Sequence, residues 1–366
     1  MADNIIRTFH PVGQGAFYSE RINNFNLVYD CGTKSGKNLL APVVAQSFNH
    51  QDIINILVIS HFDEDHINLI PKLKETVKDI QTVIYPLMSP EQKAFFLSTY
   101  EDKNLYDIVL NPQKYFNGAK IIWIRPADRE RDYYYNNEER PPYSIENLED
   151  EQRIDSGKGI SIPVSADWIF IPYNHDDGSK SKLITTLFEK AFKDDKDFDI
   201  DNIADSLSKP HICNKIRAIY KDKSIGGTNE NSLLMYSGPI KKDTYYIRRH
   251  IQYLYCHFCR PIISHYVGCI YTGDATIDTN ILNWINAIKK YYDVGTIQIP
   301  HHGSLKSFNP SLLDNGSFSC IISVGKNNTH KHPSCKVLAD ILSRDCYPIQ
   351  VTNDPTTCFI EHIVKY

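Results

Sequence analysis

Ile56-Leu57-Val58-Ile59-Ser60-His61-Phe62-Asp63-Glu64-Asp65-His66-Ile67-Asn68 is the stretch on which the reading of this chain turns. Four apolar residues, three of them β-branched, predict a short buried strand. Four side chains able to bind a metal follow within six positions. His61 and Asp63 are two apart and share one side of extended backbone. Asp65 and His66 are adjacent, so a turn has to re-aim one of them. Leu69, Ile70 and Leu73 suit a helix that starts at this turn. A lone His-x-Asp is most often a solvated turn with a helix cap. Two carboxylates and two imidazoles crowded at the end of an apolar strand serve no stability purpose and call for a cation.

Working outward, the chain offers four more strand ends that carry related chemistry. Val12-Gly13-Gln14-Gly15 breaks a first strand, and Asn26-Leu27-Val28-Tyr29-Asp30-Cys31-Gly32 forms a second; Asp30 is either a turn residue or a support behind the metal ligands. Cys269-Ile270-Tyr271-Thr272-Gly273-Asp274 ends in an Asp that alone would read as a helix cap. Thr296-Ile297-Gln298-Ile299-Pro300 leads to His301-His302-Gly303-Ser304. Cys320 to Val324 is followed by Asn327-Asn328-Thr329-His330-Lys331-His332-Pro333.

Taken together, the 61–66 stretch resembles the metal-binding motif of the metallo-β-lactamase fold, His-x-His-x-Asp-His, with Asp63 in place of the second His. The form Ser-His-x-Asp-x-Asp-His is similar to the hydrolase domain of the competence protein ComEC and its stand-alone relatives. The Val-Gly-Gln-Gly turn, the Asp-Cys-Gly strand end, the Thr-Gly-Asp and His-His-Gly-Ser segments and the His-x-His-Pro loop resemble that family's motifs and occur in its order, over about 5–85 and 229–345. The resemblance implies an α/β fold, the αββα sandwich, in a single domain spanning 1–366, with a variable region and lid at 86–165 and a helical insertion at 173–225. It implies two divalent metal ions, zinc or manganese, held by His61, Asp63, Asp65, His66, Asp274 as the bridge, and His301. Asp65 would also orient the attacking water, and His302 or His332 would protonate the leaving oxygen. Asn231, Ser232, Ser304 and His330 would meet the substrate, with Asn231 and Ser232 alternatively orienting a ligand, although a strand-entry turn explains those two as well. The separate His that most of the superfamily places near 231 has no clear equivalent.

The implied activity is phosphodiester hydrolysis, by a nuclease acting on DNA or RNA. The alternatives are a phosphodiesterase for small molecules or cyclic nucleotides, and an effector module of a multi-protein, defence-type system gated by a partner protein bound through the insertions. With 366 residues, 42% hydrophobic and 23% charged, the chain has ample material for a core. A net charge of -4 speaks against a general nucleic-acid coat but not against a local groove. No apolar run approaches the length of a membrane span, so no membrane association is expected. The nine scattered cysteines suit reduced thiols in the cytoplasm. Cys256-His257-Phe258-Cys259 lacks the second pair of a zinc finger. Lys241, Lys242, Arg248, Arg249 and Arg260, with Tyr245, Tyr246, Tyr253 and Tyr255, form either a solvated hairpin or a surface for phosphates and bases.

Overall fold

The computed structural model describes residues 4–127, 141–175, 178–221, 232–251 and 263–365. Two large sheets lie face to face. Ten strands form the first, in the order Arg153–Ile154, Lys120–Ile124, Thr82–Pro86, Ile56–Val58, Phe25–Cys31, Phe17–Ile22, Asn4–Phe9, Phe359–Lys365, Tyr245–Ile251 and Ile263–Ser264. Eight form the second, in the order Tyr347–Val351, Ser319–Ser323, Val294–Gln298, Gly268–Tyr271, Leu233–Pro239, Ser165–Asn174, Ile160–Ile162 and Tyr143–Ser144.

Strand periodicity builds the layers. Ile56 and Val58 face the second sheet, whereas Leu57 and Ile59 face helices. Leu233 and Met235 enter the same inter-sheet core, and Leu234 and Tyr236 point the other way. A strand buried on both faces has to be apolar throughout, which is why these runs do not alternate with polar residues. Helices Lys37–Ser47, Ile70–Thr76 and Pro90–Thr99 cover the first sheet, and Thr279–Tyr291 and Cys335–Leu342 cover the second. The result is the αββα sandwich that the motifs imply.

Ser89 and Pro90 start a helix as their types predict, and Ser89 with Gln92 closes a reciprocal capping box. The stretch 86–165 is more structured than a lid: Lys120–Ile124 is an interior strand, and Tyr143–Ser144, Arg153–Ile154 and Ile160–Ile162 extend the two sheets. Its charged, tyrosine-rich part at 128–140 lies outside the described residues. Helices Gly178–Phe192, Ile203–Ser206 and Pro210–Tyr220 are inserted between Ser165–Asn174 and Leu233–Pro239, two strands that pair directly. Gly178–Phe192 and Pro210–Tyr220 pack against Pro90–Thr99.

Two features could not be read locally. Asn4–Phe9 pairs antiparallel with Phe359–Lys365, so both ends of the described chain close the first sheet. Arg7, fully buried, bonds Glu20 and Glu361 at 2.7 Å each and reaches Val267 O at 3.0 Å in the segment entering the second sheet. Glu20 also accepts from Ser237 Oγ and Tyr271 Oη, and Glu361 accepts from Thr296 Oγ1. Every charge in this knot between the sheets has partners, the condition under which a buried ion cluster is tolerated.

Parallel pairing gives the sheets a common edge. In the first sheet Phe25–Cys31, Ile56–Val58 and Thr82–Pro86 run parallel. In the second, Gly268–Tyr271, Val294–Gln298, Ser319–Ser323 and Tyr347–Val351 do so. The motif residues at 61–66, 274, 301–302 and 330–332 follow the carboxyl ends of these strands, and Asp30 lies at the end of one, where open α/β sheets place their sites.

Candidate metal centre

Ser60 is the hub of the first strand end. Its amide and hydroxyl donate to Asp30 Oδ1 and Oδ2 at 2.7 and 2.6 Å. Asp30 is fully buried, has a left-handed φ of 55°, and sits 2.8 Å from His66 Nδ1. His61 Nδ1 lies 2.9 Å from Ser60 Oγ and 3.2 Å from Ser232 Oγ. With their Nδ1 atoms engaged, His61 and His66 project Nε2 into the centre, the arrangement that orients metal-binding imidazoles. Both Nε2 atoms and Asp274 Oδ1 are buried and have no hydrogen-bond partner among the described residues.

The turn itself rests on glycine. A Cβ on Gly32 would stand 2.4 Å from the Asp65 carbonyl. Ala16 N donates to Asp65 O, and Gly32 N to Ala16 O, so the first two strand ends hold the 63–66 turn between them.

From the second sheet come Asp274 and the paired histidines. Asp274 Oδ1 lies 3.4 Å from His66 Nε2, and its Oδ2 lies 3.8 Å from both His301 and His302 Nε2. Ser232 Oγ accepts the Asp274 amide at 3.0 Å. His302 Nε2 is 3.7 Å from Asp65 Oδ2, and its Nδ1 donates to Ser323 O at 2.9 Å. His61 Nε2 is 3.5 Å from Asp63 Oδ2. Two sets of ligand atoms, His61–His66–Asp274 and Asp65–His66–His302, each lie within 4.8 Å of one another. Asp274 thus turns one oxygen to each histidine pair.

His301 and His302 take consecutive left-handed conformations, φ 48° and 57°. Such residues are costly outside glycine and persist where surrounding structure holds them. The double turn sends His302 inward, 5% exposed, and leaves His301 at the rim with 29% of its side chain exposed. Sequence reading favours His301 as the metal ligand and gives His302 to the leaving oxygen; the structure turns His302 into the buried cluster with Asp65 and His66 and leaves His301 at its rim.

The remaining expected residues separate. His332 is half-buried, its ring 5.9 Å from that of His301, and exposed His330 stacks 5.8 Å beyond it. Ser232 is fully buried behind Asp274 and His61, so it braces ligands and cannot reach a substrate. The Ser304 amide donates to His301 O and is not free for an anion, although Ser304 lines a pocket beside His301. Asn231 and the Cys256–Cys259 pair lie outside the described residues. Tyr245 is buried against Trp168, so it offers no stacking face, whereas Lys241 and Lys242 are exposed. Among the other residues named there, strand Tyr245–Ile251 carries the backbone of Tyr246, Arg248 and Arg249, while Tyr253, Tyr255 and Arg260 lie outside the described residues.

Electrostatics express the crowding. Burial opposes ionisation of Asp274, yet His302 and His66 hold it well below the carboxylate range. Asp65 is also lowered against its burial, through His302, His66 and Lys34. Burial works against a charge on His66, but Asp274 and Asp30 raise it well above the usual imidazole value. His332 is pushed down to about 4, first by burial and then by His301 and His302. These groups stabilise one another as a cation would. Lys34, whose Nζ is 3.8 Å from Asp65 Oδ1, is a member that no motif announced.

No protein-family profile matches the chain, and no curated protein matches it. Among solved structures, a metallo-beta-lactamase fold protein, YhfI from Bacillus subtilis, aligns over 94% of this chain and 96% of that one, at 8% identity and a TM-score of 0.36.

Proposed function

We propose that this protein is a metal-dependent hydrolase of phosphodiester bonds, a nuclease in its preferred form, with two divalent ions held between the carboxyl ends of its sheets. The observation that carries the reading is the unpartnered set of His61 Nε2, His66 Nε2 and Asp274 Oδ1, buried and facing one another. Such orphaned atoms are expensive unless something charged completes them. One ion would be held by His61 and Asp63, a second by Asp65, His66 and His302, with Asp274 reaching both. His302 is therefore assigned to the metal, and His301 to the substrate side. Three carboxylates beside three imidazoles form a harder set than an all-histidine one, which makes manganese a rival to zinc.

Divalent ions there would supply Lewis acidity to water and to a phosphoryl oxygen. Asp65, besides holding an ion, would orient the attacking water by accepting its hydrogen bond. His301 and His332 face the opening where a leaving oxygen would emerge. At neutral pH His332 starts without a positive charge, and a phosphate placed beside it favours its protonation.

Elemental analysis of the purified chain, followed by cleavage tests on bis(p-nitrophenyl) phosphate, DNA, RNA and cyclic nucleotides with Mn²⁺ or Zn²⁺, tests the reading. Asp65→Ala should abolish hydrolysis and leave the chain folded. Unchanged hydrolysis in that variant refutes the assignment. Turnover of a cyclic nucleotide beside inert DNA and RNA selects the small-substrate alternative.

A further inference from the structure

Two pockets open beside the centre and share His330 as a common wall. The first, about 360 Å³, lies between the loop carrying Lys34 and Ser35 and the loop carrying Lys326, Asn328 and His330. Among the described residues its lining is polar throughout apart from Gly325. It begins at Lys34, beside Asp65. The second, about 670 Å³, begins at His301, beside Asp274, and carries Lys306, Lys331 and His332. His302 stands between the two starting points, 3.7 Å from Asp65 and 3.8 Å from Asp274.

We propose that these pockets are backbone subsites on either side of the metal centre for one single nucleic-acid strand laid across it, with Lys34 positioning a phosphate on one side and Lys306 and Lys331 on the other. The inference rests on the phosphodiesterase reading and deepens it: cleavage falls inside a strand and not only at its end.

The chemistry of the walls selects this ligand. Among the described residues the His330 imidazole is the one ring in the lining of the first pocket and no aliphatic side chain joins it, so the pocket suits the charged, hydrated sugar–phosphate part of a strand better than a base. Lys34 has Asp65 as its ion partner at 3.8 Å but keeps 60% of its side chain exposed, so a phosphate in the pocket can share the ammonium even without a cation, and a cation taken up by Asp65 frees it further. No carboxylate among the described residues pairs with Lys306 or Lys331, and both are exposed. Lys326 contributes less, since Asp354 holds it at 2.6 Å. Each pocket alone falls in the range of about 300–1,000 Å³ that holds a small ligand. A cyclic mononucleotide would use one and leave the cations of the other idle. With a net charge of -4 on the whole chain, cations gathered on both flanks of the centre mark where a polyanion can lie.

Binding can be separated from catalysis. In EDTA, the full chain is titrated with fluorescein-labelled single-stranded DNA and RNA of increasing length, by anisotropy across a salt series. Affinity should rise with length until both pockets are spanned, and the preferred sugar distinguishes DNA from RNA. Lys34→Gln and Lys331→Gln should each reduce the slope of log K against log salt by about 0.7, the loss of one phosphate contact on a single strand. A mononucleotide binding as tightly as a long strand, or unaltered slopes in both variants, overturns the proposal. With Mn²⁺ added, a circular single strand should be cut; a linear strand degraded beside an intact circle also overturns it. If the strands bind as expected while neither they nor bis(p-nitrophenyl) phosphate are hydrolysed, the phosphodiesterase reading fails and the binding site stands.

Discussion

Asp30→Asn isolates the support behind the proposed metal ligands from those residues themselves. Asp30 is fully buried and meets Ser60 N at 2.7 Å, Ser60 Oγ at 2.6 Å and His66 Nδ1 at 2.8 Å. Asn keeps the shape and tolerates the left-handed φ of 55°. The Ser60 amide can only donate, so the remaining oxygen has to stay at Oδ1. The new NH2 then occupies the place of Oδ2 and points a hydrogen at His66 Nδ1. Two donors cannot share that line, so His66 moves its proton to Nε2 and loses the lone pair meant for a cation. Replacing such an outer partner weakens metal binding by about 10–100-fold, or about 1.4–2.7 kcal/mol. Competition for Mn²⁺ or Zn²⁺ against a fluorescent chelator measures this directly, with urea unfolding as a check that the chain remains folded. Affinity within twofold of the unsubstituted protein would show that Asp30 does not set the His66 tautomer.

Three further outcomes follow from the same geometry. Arg7→Met strands Glu20 and Glu361 in the core and should cost about 3–5 kcal/mol in urea unfolding; a loss below 1 kcal/mol would mean the carboxylates find other partners. Gly32→Ala forces a Cβ against the Asp65 carbonyl, so metal affinity should fall more steeply than unfolding stability, and equal retention of both would contradict the close approach. His10 is lowered to about 3, first by burial and then by Arg21, while the unfolded chain titrates near the ordinary imidazole value. The unfolded state therefore binds the extra proton below about 6.5, and His10 contributes stability that is whole above that pH and lost as pH falls toward 3, at up to about 1.4 kcal/mol per unit. His10→Gln should flatten that limb of a stability-against-pH curve, and an identical slope in both proteins would contradict it.

Much of the fold was legible because it is written in short-range pattern. The apolar run Ile56-Leu57-Val58-Ile59 is a strand buried on both faces, Ser89-Pro90 caps a helix, and each ligand cluster closes a strand. The residues brought together at the centre were named from such strand ends, since parallel pairing delivers every one of them to one edge. Ser232 stays open between substrate and ligand support in the sequence, because a hydroxyl at a strand entry looks the same whether it faces a substrate or braces a ligand. Lys34 gave no signal at all: its place beside Asp65 depends on a loop whose path is set by Gly32 and the opposing sheet.

By itself, then, the sequence determined which His and Asp residues gather at the ends of strands, because residue type and hydrophobic period are local properties. Only the tertiary structure decided which of His301 and His302 turns inward, since consecutive left-handed residues break the alternation on which side-chain direction is otherwise read. It alone joined Asn4–Phe9 to Phe359–Lys365, and knotted Arg7 to Glu20 and Glu361, because such partners are chosen by which surfaces remain to be covered once both sheets have formed.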